Sequence, residues 1–186
     1  MRVITGSALG VRLLTPDGML TRPTADRVKE AVFSIIQFEL EGWRVLDLFA
    51  GTGQLGIEAL SRGAASAVFV DARREAAALV KKNLERTRLA SQAEVIQADY
   101  LEYLARCRRT FDLIFLDPPY AEVFLENALR KISEIDILSE GGIIICERPA
   151  DQPQLGRFPG LSAGREYRYG KTMISLCRKA RGLEEL

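Results

Sequence analysis

From Trp43 onward, short apolar runs alternate with amphipathic stretches of helical period, and no other feature constrains the fold as tightly. The apolar runs fall at residues 44–49, 67–70, 93–98, 113–116 and 143–147, with helical patterns at 54–61, 73–88, 100–106 and 123–135. Strands separated by helices cannot pair as hairpins, so they pair in parallel with helices on both faces. The last apolar segments, 165–169 and 172–178, flank Gly170-Lys171 and predict a terminal antiparallel hairpin. The expected class is therefore α/β, with a mostly parallel, doubly wound, Rossmann-like sheet.

Residues 2–14 alternate around Gly6 and Gly10 before a Pro16-Asp17-Gly18 turn signal, which predicts a small β-hairpin. Thr24 is placed to cap a helix running to about residue 40, because Val28, Ala31, Val32, Ile35 and Ile36 recur at helical spacing. The expected organisation is an extension at 1–42, the α/β domain at 43–180 and a frayed tail at 181–186.

Histidine is absent from the 186 residues, which removes the imidazole-dependent nucleophile systems and the His-containing zinc sites. Cys107, Cys146 and Cys177 are odd in number and far apart, and they read as reduced core thiols. No apolar run is long enough for a membrane span and the start lacks a signal-peptide pattern, so a cytoplasmic protein is expected. Lys and Arg total 26 against 25 Asp and Glu, so any nucleic-acid contact must come from a local patch. Arg2, Arg12, Arg165, Arg168 and Lys171 are candidates for one, with ordinary surface charge as the alternative.

The run Val45-Leu46-Asp47-Leu48-Phe49 leads into Ala50-Gly51-Thr52-Gly53-Gln54-Leu55-Gly56 and then a helical pattern. Gly51, Gly53 and Gly56 match a nucleotide-binding turn, and Asp71 follows at the end of the next strand, where a carboxylate accepts from ribose hydroxyls. Tight packing of the turn is the alternative for the glycines alone. An NAD site uses the same elements. Asp47 favours S-adenosylmethionine, because a carboxylate there can pair with an ammonium that NAD lacks. Asp99 is either an acceptor for an adenine amine or a helix N-cap. Phe49, Ala50, Thr52, Ala72 and Tyr100 complete the candidate cofactor set, and no metal is expected.

The segment Phe111-Asp112-Leu113-Ile114-Phe115-Leu116-Asp117-Pro118-Pro119-Tyr120 is a buried strand ending in a rigid polar turn. Its prolines remove two donors and hold Asp117 and Pro118 extended, leaving fixed acceptors at a sheet edge. Such acceptors suit the amine of a nucleobase stacked on Tyr120. Asp117, Pro118, Pro119 and Tyr120 are thus the catalytic candidates, with Asp117 also beside the cofactor. A packed Pro-Pro turn is the alternative. Arg22, Thr24 and Arg27, with Tyr120, are the substrate-binding candidates, against a solvated helix start.

Together "RPTADRVKEAVFSI", "VLDLFAGTGQLGIEALSRGA" and "DPPY" resemble the bacterial 16S rRNA guanine-N2 methyltransferases of the RsmD type, and the similarity runs from the first hairpin to "YGKT". The resemblance implies a Rossmann-like methyltransferase fold, S-adenosylmethionine as methyl donor and a guanine of the assembling or assembled small ribosomal subunit as target; separately, a monomer is expected. Leu9 and Lys171 depart from the family pattern, where arginine and aspartate are common. Other readings are an amino-group methyltransferase acting on DNA or other RNA at adenine N6, an NAD-dependent oxidoreductase, and a non-catalytic RNA-binding assembly factor.

Overall fold

The computed structural model describes residues 1–16, 23–119 and 122–180. Arg22, Tyr120, the Asp17-Gly18 part of the turn signal and the expected frayed tail lie outside them. Seven strands form one sheet: β1 (Arg44–Asp47), β2 (Ser66–Asp71), β3 (Ala93–Gln97), β4 (Phe111–Leu116), β5 (Leu138–Pro149), β6 (Leu161–Tyr169) and β7 (Thr172–Lys179). Their spatial order is β3-β2-β1-β4-β5-β7-β6. The first five strands pair in parallel, while β7 runs antiparallel to both β5 and β6. The doubly wound sheet and its reversed terminal hairpin are both present. Strand order reverses between β1 and β4, so the loops leaving these strands diverge and open a crevice at their carboxyl ends.

Alternation along each strand divides the core between two faces. Val45, Phe69, Leu113, Phe115, Ile143 and Ile145 pack with helices α1 (Pro23–Ile35), α2 (Gln54–Ser61) and α3 (Arg74–Thr87). Leu46, Val68, Val70, Ile114, Leu116 and Ile144 pack with α4 (Tyr100–Arg106) and α5 (Glu122–Ile135). Helix α1 stops at Ile35, short of the expected residue 40, and the chain turns at Glu39 and Gly42 so that Ile36 and Leu40 still reach the core. Strand β5 begins at Leu138, earlier than its apolar run, across a turn in which Gly141 has φ 75°. All three cysteines are buried and free. Among the described residues, no helix is long and apolar enough to cross a membrane.

The expected N-terminal hairpin closes through a single bridge, Arg2 to Arg12. Beside that bridge Val3 N donates to the Val11 carbonyl, Gly10 N to the Val3 carbonyl and Leu13 N to the Met1 carbonyl, and other donors of the arm are taken by the body of the protein. Ile4 N and Thr5 N donate to the two oxygens of Glu58 at 2.8 and 3.0 Å, and Ala8 N donates to Ser61 Oγ at 2.9 Å. Val3, Ala8 and Leu13 belong to the same core as α1 and α2. Glu58 is wholly buried and also meets Lys29 Nζ at 3.5 Å and Arg62 Nε at 2.9 Å. Lys29 in turn donates to the Arg2 carbonyl at 2.6 Å, and the Arg62 guanidinium lies 4.6 Å from the Phe33 ring centre. Glu58 therefore joins α1, α2 and the N-terminal arm.

Removing one partner of a buried pair strands the other charge, which typically costs about 3 to 5 kcal/mol. Glu58→Ala is expected to lower unfolding free energy by about that amount, measured by urea denaturation. A loss below about 1 kcal/mol, the scale of a surface pair, would show that this junction does not hold the arm.

Candidate active site

The loop after β1 makes a tight turn into α2, and each glycine there has its own reason. Gly51 and Gly53 have φ of 55° and 79°, a region that penalises a Cβ. Gly56 lies so close to β2 that a Cβ would come within 2.3 Å of Phe69 Cε1. The turn is held at its base by carboxylates: Asp71 Oδ2 accepts from Gly51 N at 2.9 Å, and Asp47 Oδ2 accepts from Gly56 N at 3.1 Å. Asp71 also receives N–H groups of Arg73, whose side chain is largely exposed.

Asp47 ends β1 in register with Phe115 of β4 and Phe69 of β2. It is buried, and burial pushes its carboxyl up to about 7, opposed by the Gly56 bond and reinforced by the charges of Asp117 and Asp71. Asp47 and Asp117 thus share one site at the crevice between β1 and β4. Asp117 is half-buried, and desolvation raises it too. An ordinary Asp pKa suits it only to orient a substrate; the raised value also makes it a better proton acceptor. Beyond it, Pro118 is half-buried and Pro119 exposed.

Phe49 packs on Tyr100 with ring centres 5.0 Å apart, and Tyr100 meets Phe124 edge-on at 5.7 Å. Ala50 and Thr52 are buried in the loop, while Ala72 is exposed. Asp99 caps α4, its Oδ1 accepting from Leu101 N and Glu102 N at 2.8 and 3.4 Å, so the capping alternative is realised. Oδ2 has no hydrogen bond among the described residues. Arg27 is exposed on α1, where Thr24 also lies. Arg2, Arg12, Arg165, Arg168 and Lys171 are all exposed. Among the described residues, no group of acidic or cysteine side chains is arranged to hold a metal ion.

Two site residues escaped the sequence reading. Asn83, wholly buried in α3, donates to the Thr52 carbonyl at 2.9 Å and exchanges bonds of 2.7 and 3.0 Å with the Leu14 backbone, tying the glycine loop to the N-terminal arm. Its signal was an amide on the apolar stripe formed by Val80, Leu84 and Thr87. Glu147, near the end of β5, is half-buried, and burial together with the charge of Asp117 raises its pKa. Gln54, the first residue of α2, has a buried Oε1 without a hydrogen-bond partner, the single such side-chain atom among the described residues.

The strand order and the crevice define a Rossmann-like methyltransferase fold, and the solved structure of YhhF from Escherichia coli superposes with a TM-score of 0.87 at 33% identity, covering 97% of this chain and 99% of that one. Residues 1–178 match the family model described as Conserved hypothetical protein 95, and the chain belongs to that family, the RsmD-type group its motifs resemble. YlbH of Bacillus subtilis strain 168 is 41% identical over 96% of this chain and 99% of its own length. A protein of Haemophilus influenzae named Ribosomal RNA small subunit methyltransferase D is 36% identical over 82% of this chain and 81% of its own.

The buried carboxyls give the ligand-free protein a pH dependence. A carboxyl raised from 3.8 to about 7 holds a proton in the folded chain that the unfolded chain has released, so stability falls as pH climbs from about 4 to about 7. Asp112, lowered to about 2 chiefly by the Arg44 hydrogen bond, acts in the opposite sense, but below that window. Asp47→Asn keeps an acceptor for Gly56 N and removes the titration. The variant is expected to be more stable than the parent at pH 8 by about 2 to 4 kcal/mol, at 1.36 kcal/mol per pKa unit, with no gain at pH 4. Thermal melts across that range test this, and equal stabilities at pH 8 would refute it.

Proposed function

We propose that this chain transfers a methyl group from S-adenosylmethionine to the exocyclic N2 amine of a guanine in 16S rRNA of the small ribosomal subunit. The observation that carries the proposal is the meeting of buried Asp47 and half-buried Asp117 at the strand-order reversal, beside a glycine turn built for a nucleotide. Support for an RNA substrate comes from the names of the relatives, and support for an amine from the Asp-Pro-Pro turn.

The site's charge suits this methyl donor. Asp47 has one hydrogen-bond donor among the described residues, and the charged groups that shift its pKa are carboxylates. A carboxylate in that position favours a cation, and S-adenosylmethionine carries an ammonium and a sulfonium. The diphosphate of NAD brings negative charge to the same place. The unpaired Gln54 Oε1 adds a free acceptor close to the loop.

When bound, S-adenosylmethionine supplies a methyl group already activated for transfer. Asp47 pairs with the ammonium. Asp71 accepts from the ribose hydroxyls in place of the exposed Arg73, while keeping its bond to Gly51 N. Asp99 Oδ2 accepts from the adenine amine. Phe49, Ala50, Thr52, Ala72 and Tyr100 line the same pocket. Asp117 and the Pro118 carbonyl accept from the hydrogens of the target amine, pulling its lone pair out of ring conjugation and aligning it for in-line attack. After transfer the nitrogen is cationic and acidic, and Asp117, with its raised pKa, takes its proton. A paired base cannot enter such a pocket, so the target is looped or flipped out; Pro119 and Arg27 are assigned to its binding, together with Tyr120, Arg22 and Thr24, whose side chains lie outside the described residues.

Labelled S-adenosylmethionine incubated with small subunits from a strain lacking the protein is expected to yield N2-methylguanosine in 16S rRNA, mapped by mass spectrometry. Asp117→Ala is expected to cut transfer by about 100-fold or more while titrated cofactor affinity stays within severalfold. Label on another base or none at all overturns the proposal, and a fully active variant overturns the role of Asp117.

A further inference from the structure

Four neighbouring strands each place a carboxylate near the carboxyl edge of the sheet. Asp71 follows Phe69 by two residues, Asp47 follows Val45, Asp117 follows Phe115, and Glu147 follows Ile145; all four of those apolar residues belong to the core on the α1, α2 and α3 face. Alternation therefore puts Asp71, Asp47 and Glu147 on that face, with Asp117 close enough to raise both Asp47 and Glu147. Leu116 pairs with Cys146, so Asp117 and Glu147 stand level on adjacent strands. The proposed reaction gives tasks to the first three carboxylates and none to Glu147.

Nothing in the fold accounts for Glu147. It is half-buried, and no described residue donates a hydrogen bond to its carboxylate. The adjacent cation, Arg148, belongs to the other face of the strand, where Ser175 Oγ, the Gln152 carbonyl and Glu166 take its N–H groups at 3.1, 3.0 and 2.8 Å. Across the antiparallel pair, Glu147 faces Ile174. A desolvated carboxyl without a partner costs stability, and such a group at a site edge suits a ligand that donates.

We propose that Glu147 reads the identity of the target base, accepting from N1–H of guanine while Asp117 and Pro118 hold the N2 amine. This rests on the guanine-N2 reading above. The methyl donor occupies the β2 and β1 end of the row, so the base enters over β4 and β5. In guanine N1–H adjoins the N2 amine, and a base with its amine at Asp117 presents N1–H to the next strand while its sugar stays toward the RNA. Adenine carries an unprotonated N1, a lone pair that meets the ionised carboxylate as a second acceptor. Glutamate keeps an acceptor oxygen in either protonation state, and when protonated it also offers an O–H to O6.

The test replaces the mapped target guanosine by 2-aminopurine, which keeps the 2-amine but lacks N1–H and O6, in 16S rRNA reconstituted into small subunits. For the parent protein, kcat/KM for guanosine is expected to exceed that for 2-aminopurine by about 10- to 100-fold, the range for a good base-edge contact. Glu147→Ala is expected to bring that ratio to within about threefold of one by losing guanosine activity. Glu147→Gln, which retains an acceptor oxygen for N1–H but adds an NH2 that can donate to the bare N1 of 2-aminopurine, is expected to keep most of the guanosine activity while lowering the ratio. Titrated S-adenosylmethionine affinity within about twofold of the parent value shows that each variant is folded. If Glu147→Ala lowers both substrates equally and leaves the ratio intact, or if the parent does not discriminate, Glu147 does not read the base while the guanine-N2 reaction stands. A parent that methylates no guanosine overturns the underlying reading instead.

Discussion

Parallel pairing of β1 with β4 is the constraint on which the molecule depends. Because β4 joins β1 on the side away from β2, the chain must reverse its direction of travel across the sheet there, and the two strand ends cannot cover one another. The crevice that results follows from topology, independent of side-chain choice. Side chains then decide its chemistry: the register sets Asp47 opposite Phe115, so Asp117 emerges two residues further along and the two carboxylates sit at different depths of one notch.

Much of this was legible in the sequence because it is local. A strand, a glycine turn and a helix follow one another within residues 44–61, and each glycine satisfies a demand made by its immediate neighbours or the adjoining strand. The Asp-Pro-Pro turn declares its rigidity within three residues. What stayed hidden depends on distant pairing. Glu147 closes an apolar run and reads as an ordinary strand boundary until the β4 and β5 register sets it beside Asp117. Glu58 looks like a solvated charge on a short helix, because the donors that justify its burial come from residues more than 50 positions earlier. The incomplete N-terminal hairpin has the same origin: alternation announces strands, but it does not tell which backbone donors α2 will capture.

The carboxylate row has an electrostatic logic of its own. Burial in a poorly solvated notch, reinforced by neighbouring like charge, raises the pKa of Asp47 and of Glu147 and makes the empty site costly, an arrangement that structural needs alone would not select. A ligand bearing positive charge relieves that cost, and under the proposed reaction so would the short-lived cation on a newly methylated amine. Under the proposed reaction, loss of the sulfonium charge on transfer removes part of that attraction, and the notch would favour the methyl donor over its demethylated product.

The N-terminal arm also bears on how the chain reaches its final form. Leu14 is bonded to Asn83, 69 residues later, and through Asn83 to the glycine loop. During synthesis the arm emerges before α2 and α3 and has no dock until they have been made and laid against the sheet, so it is among the last parts to settle. The lock on the nucleotide turn closes only when the layer beneath it is complete, and a nascent chain short of that point has a glycine loop without a clasp.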